Sequence, residues 1–311
     1  MRSFSADATT SPALVRHVAG LRETVRQWRA DAQSVALVPT MGAIHDGHLS
    51  LVTAARARCD RVIVSLFVNP KQFGTGEDIG SYPADEARDS DLLSKAGTNL
   101  LFAPAPGDIY PPGFATNVEV TGLTDGLCGA FRPGHFAGVA TVVAKLLLQS
   151  DPDLAVFGEK DYQQLLVIKR LTRDLDIPVR IEAAPIVRED DGLALSSRNA
   201  YLTPEERAIA TALHGTISQV AENVGHGAQP GEQAEWGREQ LLRAGFASVD
   251  YLTVRDAETL EDVTDASRPA RVLAAANAGI LKDILIGDDG GPRTDIVLLN
   301  AAAVLVVAEL A

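Results

Sequence analysis

The chain has 311 residues, a formal net charge of −13, 46% hydrophobic residues and 22% charged residues. Its length predicts two domains with ample material for a large core, and its composition is typical of a globular protein. The acidic balance argues against non-specific binding of nucleic acid, which requires clustered lysine and arginine, but it permits a locally basic site for small anions.

The sequence carries no pattern of export or of a membrane anchor. Cys59 and Cys128 are the only cysteines, and their spacing matches no disulfide or metal motif, so we expect reduced thiols. Residues 1–14 lack the apolar segment of a signal peptide. The longest apolar run, Ile296–Leu310, is interrupted by polar residues and is too short to span a bilayer. We therefore expect a cytoplasmic protein without a membrane partner.

Strand-like and helix-like segments alternate along residues 1–187, which we interpret as the first domain. Ala13–Ala30 has the apolar spacing of a helix. Further helices are predicted at Leu49–Arg58, Asp85–Ala96, Val139–Gln149 and Tyr162–Leu175, and strands at Val35–Val38, Val62–Val68, Leu100–Ala103, Ala155–Phe157 and Val179–Ile181. This alternation predicts an α/β fold with a doubly wound parallel sheet, in which ligands bind at the carboxyl ends of the strands.

Residues 188–276 predict a smaller α+β domain. Thr203 opens a helix with a capping box, and a second helix is predicted over Glu232–Leu242. Two short strands are predicted at Val249–Val254 and Arg271–Ala276.

The most informative segment is Pro39-Thr40-Met41-Gly42-Ala43-Ile44-His45-Asp46-Gly47-His48, which joins the predicted strand at Val35 to the helix that follows. A helix N-terminus offers free backbone N–H groups and a positive dipole end to phosphate. His45 and His48 add imidazole donors that could stabilise charge developing on phosphate. The alternatives are a surface pair or half of a zinc site, but no further Cys or His cluster supplies ligands.

Polar residues follow two later predicted elements. Asn69 and Gln72 come after the second strand, where they could project into the ligand crevice or form a plain polar turn. Segment Gly74–Pro83 is glycine-rich and could be a mobile lid or an ordinary loop. Arg132 and His135 precede a helix, where the guanidinium could bind phosphate or carboxylate, or the pair could be structural.

A second corner between a strand and a helix holds Gly158-Glu159-Lys160-Asp161. Lys160 could meet a phosphate as a point charge, whereas Asp161 is explained equally well as a helix cap. Gln164 lies three residues further on and can face the same ligand. The loop Ser196-Ser197-Arg198 could clamp a triphosphate, although an ordinary polar linker has the same composition.

Taken in order, these segments resemble the pantoate–β-alanine ligase family, with matching spacing from about Val35 to Val254. One HxGH motif alone would indicate only the wider nucleotidylyltransferase superfamily, which includes class I aminoacyl-tRNA synthetases. The resemblance implies a Rossmann-like fold, a homodimer and ATP as a substrate accompanied by Mg²⁺. It also implies a reaction in which pantoate and ATP give pantoyl-adenylate and pyrophosphate, after which β-alanine displaces AMP to give pantothenate.

The resemblance assigns roles to individual residues. His48 would be the proton donor, with His45 and Lys160 also catalytic. Gln72 and Gln164 would bind pantoate, and Asn69, Arg132 and His135 would be neighbours of the site. The ATP site would comprise Met41, Gly42, Ala43, Ile44, His45, Asp46, Gly47, His48, Gly158, Glu159, Lys160, Asp161, Val187, Leu195, Ser196, Ser197 and Arg198. Leu195 stands where the family usually has methionine, a swap that nearly conserves volume.

The tail, residues 277–311, departs from the family pattern. It looks like a piece of anthranilate phosphoribosyltransferase without that enzyme's phosphate-binding motifs, as a hybrid or rearranged gene end would. We expect the tail to be helical, with one helix from about Asp295 to Leu310. If the small domain has lost its last strand, the edge of its sheet is open.

Two other functions fit the motifs. A different adenylyl-transferring enzyme of the superfamily would retain the nucleotide in its product instead of releasing AMP. A binding-only protein, impaired in closing its site by the altered C-terminal region, would bind ATP or pantoate without turnover. The acidic balance and the absence of an anticodon-binding region disfavour a role with tRNA.

Overall fold

The computed structural model describes residues 12–74, 79, 85–265 and 267–278, and the backbone of 299–305. The segment expected to be a lid or a loop, Gly74–Pro83, lies outside the described residues except at its first residue and at Ile79.

The first domain is built on one sheet of six parallel strands. These are β1 (Ala13–Val15), β2 (Val35–Thr40), β3 (Arg61–Leu66), β4 (Leu100–Phe102), β5 (Leu154–Gly158) and β6 (Arg180–Ala184). Their order in the sheet is β1-β4-β3-β2-β5-β6. The chain builds outward from β2 on one side and then returns to β5 on the other. The carboxyl ends of β2 and β5 therefore form the topological switch point, where a doubly wound sheet leaves a crevice.

Helices cover both faces of this sheet. They are α1 (Val18–Ala30), α2 (Asp46–Arg56), α3 (Glu86–Lys95), the short α4 (Pro106–Ile109) and α5 (Cys128–Phe131), then α6 (His135–Ser150) and α7 (Tyr162–Asp174). Alternate residues of each buried strand enter separate cores, since Val35 and Leu37 pack with α1, α6 and α7 whereas Ala36 and Val38 pack with α2 and α3. The predicted doubly wound α/β fold is confirmed.

The start of the chain differs from its prediction. Ala13–Ala30 is not one helix, because Ala13–Val15 pairs in parallel with β4 and only Val18–Ala30 is helical. Pairing with the N–H and C=O groups along the edge of β4 stabilises these three residues more than an extension of the helix would.

The second domain packs three helices on an antiparallel sheet. The helices are α8 (Pro204–Ala210), α9 (Ala212–Gly225) and α10 (Pro230–Ala244), and the strands are β7 (Ser248–Asp256), β8 (Ala270–Asn277) and β9 (Leu299–Leu305), with β8 in the middle. The predicted capping box is present, since Thr203 Oγ1 accepts from the Glu206 N–H and the Glu206 carboxylate accepts from the Thr203 N–H.

The expectation of a helix from Asp295 to Leu310 is wrong over the described part of the tail. Leu299–Leu305 forms β9, which pairs antiparallel with β8 from Ala276 to Ala270. Strand β8 is buried along its whole length, so a third strand satisfies backbone groups that would otherwise be left unpaired on that side. The sheet edge that the sequence left open at β8 is therefore covered, and this tertiary pairing overrides the helix propensity of an alanine-rich segment.

The close approach of α6 to the turn at Pro70–Gln72 predicts the effect of one substitution. A Cβ on Gly138 would overlap the Lys71 carbonyl group and lie 2.7 Å from the Gln72 nitrogen. We expect Gly138→Ala to lower the free energy of unfolding by about 1–3 kcal/mol, because backbone must move to accept the methyl group.

The matched control is Gly215→Ala, also within a helix, where an added Cβ meets nothing within 4 Å. We expect it to raise stability by up to about 1 kcal/mol through better helix propensity. Urea unfolding of both variants checks this pair, and equal stability of the two would contradict the described packing of α6.

Candidate active site

A large cavity opens at the switch point between β2 and β5, with walls from both domains. Tyr251, Leu273 and Ala274 line it from the sheet of the small domain. Most of the candidate site residues line it, namely Met41, His45, Gly47, His48, Asn69, Gln72, Arg132, His135, Gly158, Lys160, Asp161, Gln164, Val187, Leu195, Ser196, Ser197 and Arg198. Segments far apart in the sequence thus converge on one cavity.

We call the connection from β2 to α2, which contains residues 39–48, the first corner. Its two histidines lie side by side at the start of α2. His45 is the N-cap residue, and its extended backbone turns the chain from the sheet into the helix. The ring centroids of His45 and His48 are 4.1 Å apart.

Backbone hydrogen bonds fix which ring nitrogen of each histidine carries the proton. The Gly47 N–H donates to Nδ1 of His45 over 3.1 Å, and the His45 N–H donates to Nδ1 of His48 over 3.4 Å. An Nδ1 that accepts a hydrogen bond has no proton, so each neutral ring carries its proton on Nε2. Two Nε2–H donors are therefore available to a ligand of this corner.

Both imidazoles are neutral at physiological pH. Burial, followed by the Lys160 ammonium, lowers the pKa of His45 to about 4. Burial, followed by His45 and Lys160, lowers the pKa of His48 to about 3. A buried ring beside a cation has a strong electrostatic reason not to protonate until an anion enters the cavity.

A buried carboxylate that the sequence reading missed holds this corner in place. Asp89 of α3 is 1% exposed, and its two oxygens accept the N–H groups of Ala43 and Ile44 over 2.8 Å each. Gly42 and Ala43 both have positive φ angles, 90° and 52°, so the corner is tightly turned. Asp89 lies four residues before the buried Leu93, a helical phase that could have indicated an acidic group on the inner face of the helix.

Five of the expected ATP-site residues are not among the residues that line the cavity. The backbone donors of Ala43 and Ile44 are bound to Asp89 and not directed to a ligand, and the Ile44 side chain lies in the core. Gly42 is buried, and the Asp46 side chain is exposed. Glu159 accepts a hydrogen bond from Arg271 of the small domain. Contact of these five residues, Gly42, Ala43, Ile44, Asp46 and Glu159, with ATP stays a prediction.

Asn69 anchors the turn that carries Gln72. It is 1% exposed, and its amide donates to the Gly138 carbonyl and to Gln72 Oε1, while its oxygen accepts from the Tyr110 hydroxyl over 2.7 Å. Gln72 in turn directs its amide nitrogen to the sulfur of Met41 over 3.1 Å. These bonds make Asn69 a structural support and leave Gln72 on the cavity wall.

Arg132 and His135 hold the same turn from its other side. His135 Nδ1–H donates to the Gln72 carbonyl over 2.9 Å, and Arg132 donates to that carbonyl over 3.3 Å. Nε2 of His135 then carries no proton and accepts from the Arg132 guanidinium over 3.3 Å. The two residues fix the position of the Gln72 backbone.

The second corner places Lys160 and Asp161 in a single 3₁₀ turn between β5 and α7. Among the described residues the Lys160 ammonium forms no ion pair. The Asp161 side chain makes no capping hydrogen bond to α7, although that residue is the N-cap. The expected capping alternative therefore does not account for Asp161.

Gln163, which the sequence reading passed over, is a buried support of the cavity wall. Its amide nitrogen donates to the carbonyls of Leu123 and Gly126, and its oxygen accepts from the Cys128 N–H. Its position next to Gln164 could have drawn attention to it. Its supporting role could not be predicted, because all three partners lie in a segment about 35–40 residues earlier in the chain.

The loop with the serines faces the histidine corner. Leu195 N–H donates to the Val187 carbonyl, which brings the two ends of the loop together. Ser196 caps the 3₁₀ turn Ser197–Tyr201 by accepting from the Arg198 N–H. A Cβ on Gly47 would lie 3.7 Å from the Leu195 Cβ, so this loop closes over the start of α2.

The charge of the cavity is opposite to that of the whole chain. Among its described lining residues three side chains are basic, Arg132, Lys160 and Arg198, and one, Asp161, is acidic. The protein carries a net charge of −13. A basic cavity in an acidic protein concentrates and binds small anions without attracting polyanions to the remaining surface.

Comparison with known proteins identifies the family. The family model described as pantoate–β-alanine ligase matches residues 13–286. The chain belongs to the pantoate–β-alanine ligase family. A pantothenate synthetase of Paramagnetospirillum magneticum is 58% identical to this ligase-family chain over 271 residues, which cover 87% of this chain and 95% of that protein. One of Rhodospirillum rubrum is 54% identical over 267 residues, covering 86% and 95%.

Solved structures agree with this ligase assignment. The crystal structure of pantothenate synthetase from Thermus thermophilus is 45% identical, with a TM-score of 0.83, and covers 94% of this chain and 99% of that one. A pantoate–β-alanine ligase from Francisella tularensis, complexed with β-γ ATP and β-alanine, is 30% identical, with a TM-score of 0.75 and coverage of 94% and 98%.

The comparisons and the fold correct the expectation for the tail. The likeness of residues 277–311 to anthranilate phosphoribosyltransferase is not borne out, since the ligase model itself continues to residue 286 and β9 completes the sheet of the small domain. Among the described helices none is long and apolar enough to cross a membrane.

The neutral histidines predict an unusual pH titration. In the ligand-free protein we expect the Cε1–H resonances of His45 and His48 to stay at their neutral positions down to about pH 5, whereas an ordinary imidazole titrates near pH 6.5. As the pH falls, the two histidines of the unfolded chain protonate near pH 6.5, before those of the folded protein. Their contribution to the free energy of unfolding is therefore complete above about pH 6.5 and is lost as the pH falls toward 4 and 3. NMR titration checks this, with assignments from His45→Gln and His48→Gln. A midpoint near the ordinary imidazole value for either ring would contradict the burial of the corner.

Proposed function

We propose that this chain condenses pantoate with β-alanine at the expense of ATP, through a pantoyl-adenylate, and releases AMP and pyrophosphate. The observation that carries the proposal is the basic cavity at the switch point, with two neutral Nε2–H imidazoles beside an ammonium that has no ion-pair partner among the described residues. All three substrates carry anionic groups, and the reaction needs donors aimed at phosphate more than it needs a covalent nucleophile.

In the first step the pantoate carboxylate attacks the α-phosphate, and charge develops on the phosphate oxygens and on the leaving pyrophosphate. His45 and His48 would donate their Nε2–H groups to these oxygens, and Lys160 would neutralise the charge that is transferred. The bound triphosphate would raise the pKa of both rings from their low values, which makes proton donation by His48 feasible in the complex and not before it.

The nucleotide would lie between the two corners and the serine loop. Met41 and Gly47 approach it from the first corner, and Gly158 and Asp161 from the second. Ser196, Ser197 and Arg198 would hold the triphosphate and then the pyrophosphate, because the guanidinium forms paired hydrogen bonds with phosphate oxygens. Val187 and Leu195, at the two ends of this loop, would flank the nucleotide.

Pantoate would bind between the side chains of Gln72 and Gln164, whose amides suit its hydroxyl and carboxylate groups. Asn69, Arg132 and His135 act on Gln72 through the hydrogen bonds described above. Apolar side chains of α6, among them Val139 and Val142, line the same cavity and suit the two methyl groups of pantoate.

In the second step the amine of β-alanine attacks the acyl carbon of the adenylate, and AMP leaves. The cavity is walled by both domains, and this enclosure would protect the adenylate from hydrolysis. The division into a first domain of residues 1–187 and a small domain that begins at 188 is part of the proposal, with β9 added to the small domain.

We further propose that Mg²⁺ enters with ATP, that the enzyme is a homodimer and that it works in the cytoplasm. Among the described residues no group of three or more His, Cys, Asp or Glu side chains could bind a metal, so the ion would be held largely by phosphate. Asp161 is the carboxylate among the described cavity residues that would share it. The metal would supply charge neutralisation to the phosphates. Cys59 and Cys128 are not joined in a disulfide, which fits a reducing compartment.

The deciding experiment measures AMP release by the purified protein with ATP, Mg²⁺, D-pantoate and β-alanine, each omitted in turn. We expect AMP only when both organic substrates are present. A product that retains the nucleotide would favour a different adenylyl-transferring enzyme, and substrate binding without turnover would favour a binding-only protein.

A matched pair of variants belongs in the same assay. His48→Ala should reduce pantoate-dependent pyrophosphate release by two orders of magnitude or more with the fold intact, because it removes a donor to the reacting phosphate. His226→Ala, at the exposed end of α9, should leave the rate unchanged. Near-normal activity of His48→Ala would remove His48 from the mechanism.

A further inference from the structure

The second corner is held at both ends by the small domain. Lys160 and Asp161 lie between Glu159 and Tyr162, and each of these flanking residues contacts a residue of the small domain. Arg271 Nη2 donates to Glu159 Oε1 over 2.9 Å, and the Tyr162 hydroxyl donates to the Ala257 carbonyl over 2.6 Å.

Arg271 makes a second contact with the same corner. Its guanidinium carbon lies 4.1 Å from the centroid of the Tyr162 ring, so one side chain grips the residue before Lys160 and the residue after Asp161. A planar guanidinium that both donates and stacks fixes direction as well as distance, which an ammonium cannot do.

The strand that carries Arg271 is buried and also lines the cavity. Arg271 belongs to β8, the middle strand of its sheet, and is 9% exposed. Leu273 and Ala274, further along the same strand, line the cavity wall. The same strand, β8, therefore contributes to the cavity wall and contacts the second corner.

Stability alone is a poor explanation for this ion pair. Removing two charges from water costs about as much as their mutual attraction returns, and an apolar pair of similar volume is often at least as stable. A role in fixing the position of the corner therefore explains the pair better than a contribution to stability does.

We propose that Arg271 is a positioning residue for Lys160. Through Glu159 and Tyr162 it holds the turn of the second corner so that the ammonium of Lys160 faces the phosphates of ATP, and the small domain thereby sets the geometry of the adenylation step. The inference rests on the proposed function, in which Lys160 neutralises the transferred phosphate.

The test is a double-mutant cycle on kcat for pantoate-dependent pyrophosphate release with saturating β-alanine, which lets the enzyme turn over. We expect Arg271→Gln to lower kcat at least tenfold, because Lys160 loses its orientation. In a Lys160→Ala background the same substitution should change kcat less than threefold, since the group that it positions is already absent.

Substitution of the partner, Glu159, tests the same ion pair in case Arg271→Gln fails to fold. Glu159→Ala removes the acceptor of Arg271 and should also lower kcat about tenfold, whereas Glu159→Gln keeps an oxygen acceptor and should retain at least half of the rate. The control is Arg255→Gln, directly opposite Arg271 on β7, whose ion pair with Asp262 stays inside the small domain. It should leave kcat unchanged.

The outcomes separate this inference from the proposed function. An equal loss from Arg271→Gln with and without Lys160 would show that the arginine acts independently of the lysine and would overturn the inference alone. A normal rate for Glu159→Ala would do the same. A normal rate for Lys160→Ala would instead refute the proposed role of Lys160, and the inference with it.

Discussion

The site depends on a buried carboxylate that accepts two backbone N–H groups. Asp89 holds Ala43 and Ile44 against α3, and the positive φ angles before His45 persist because this anchor over-determines them. The start of α2 then lies where its own amides can bind Nδ1 of both imidazoles. The proton position of each ring is consequently set by the backbone before any substrate arrives, which is the preorganisation that transition-state stabilisation requires.

Charge and enclosure follow from the same architecture. The switch point of the sheet brings the two corners together, and the resulting cavity is basic although the protein is strongly acidic. Burial keeps both histidines neutral beside Lys160, so they add no positive charge to the cavity while their Nε2–H groups remain hydrogen-bond donors. The small domain contributes more than a cover, because Arg271 and the carbonyl of Ala257 hold the second corner from its side.

Most correct predictions from the sequence rest on local patterns. The errors arose where residues far along the chain determine the structure or the role of a segment. The strand-to-helix corners were predictable because the histidine and lysine motifs each follow an apolar run directly. Asp89, Gln163 and Arg271 were missed because a polar residue in a helix or strand reveals its role only through partners far along the chain. Likewise Ala13–Val15 and Leu299–Leu305 have helix-compatible composition, and it is the neighbouring strands β4 and β8 that make them strands.

Amide hydrogen exchange at Ala43 and Ile44 tests the central claim most directly, because it reports on the anchor of the corner and not on its consequences. The account predicts that both amides in the ligand-free protein exchange at least about a hundredfold more slowly than unprotected loop amides, as buried carboxylate-bound donors should, although neither belongs to a helix or strand. Exchange at loop rates would show that Asp89 does not hold the corner and that the histidines are ordered only by substrate.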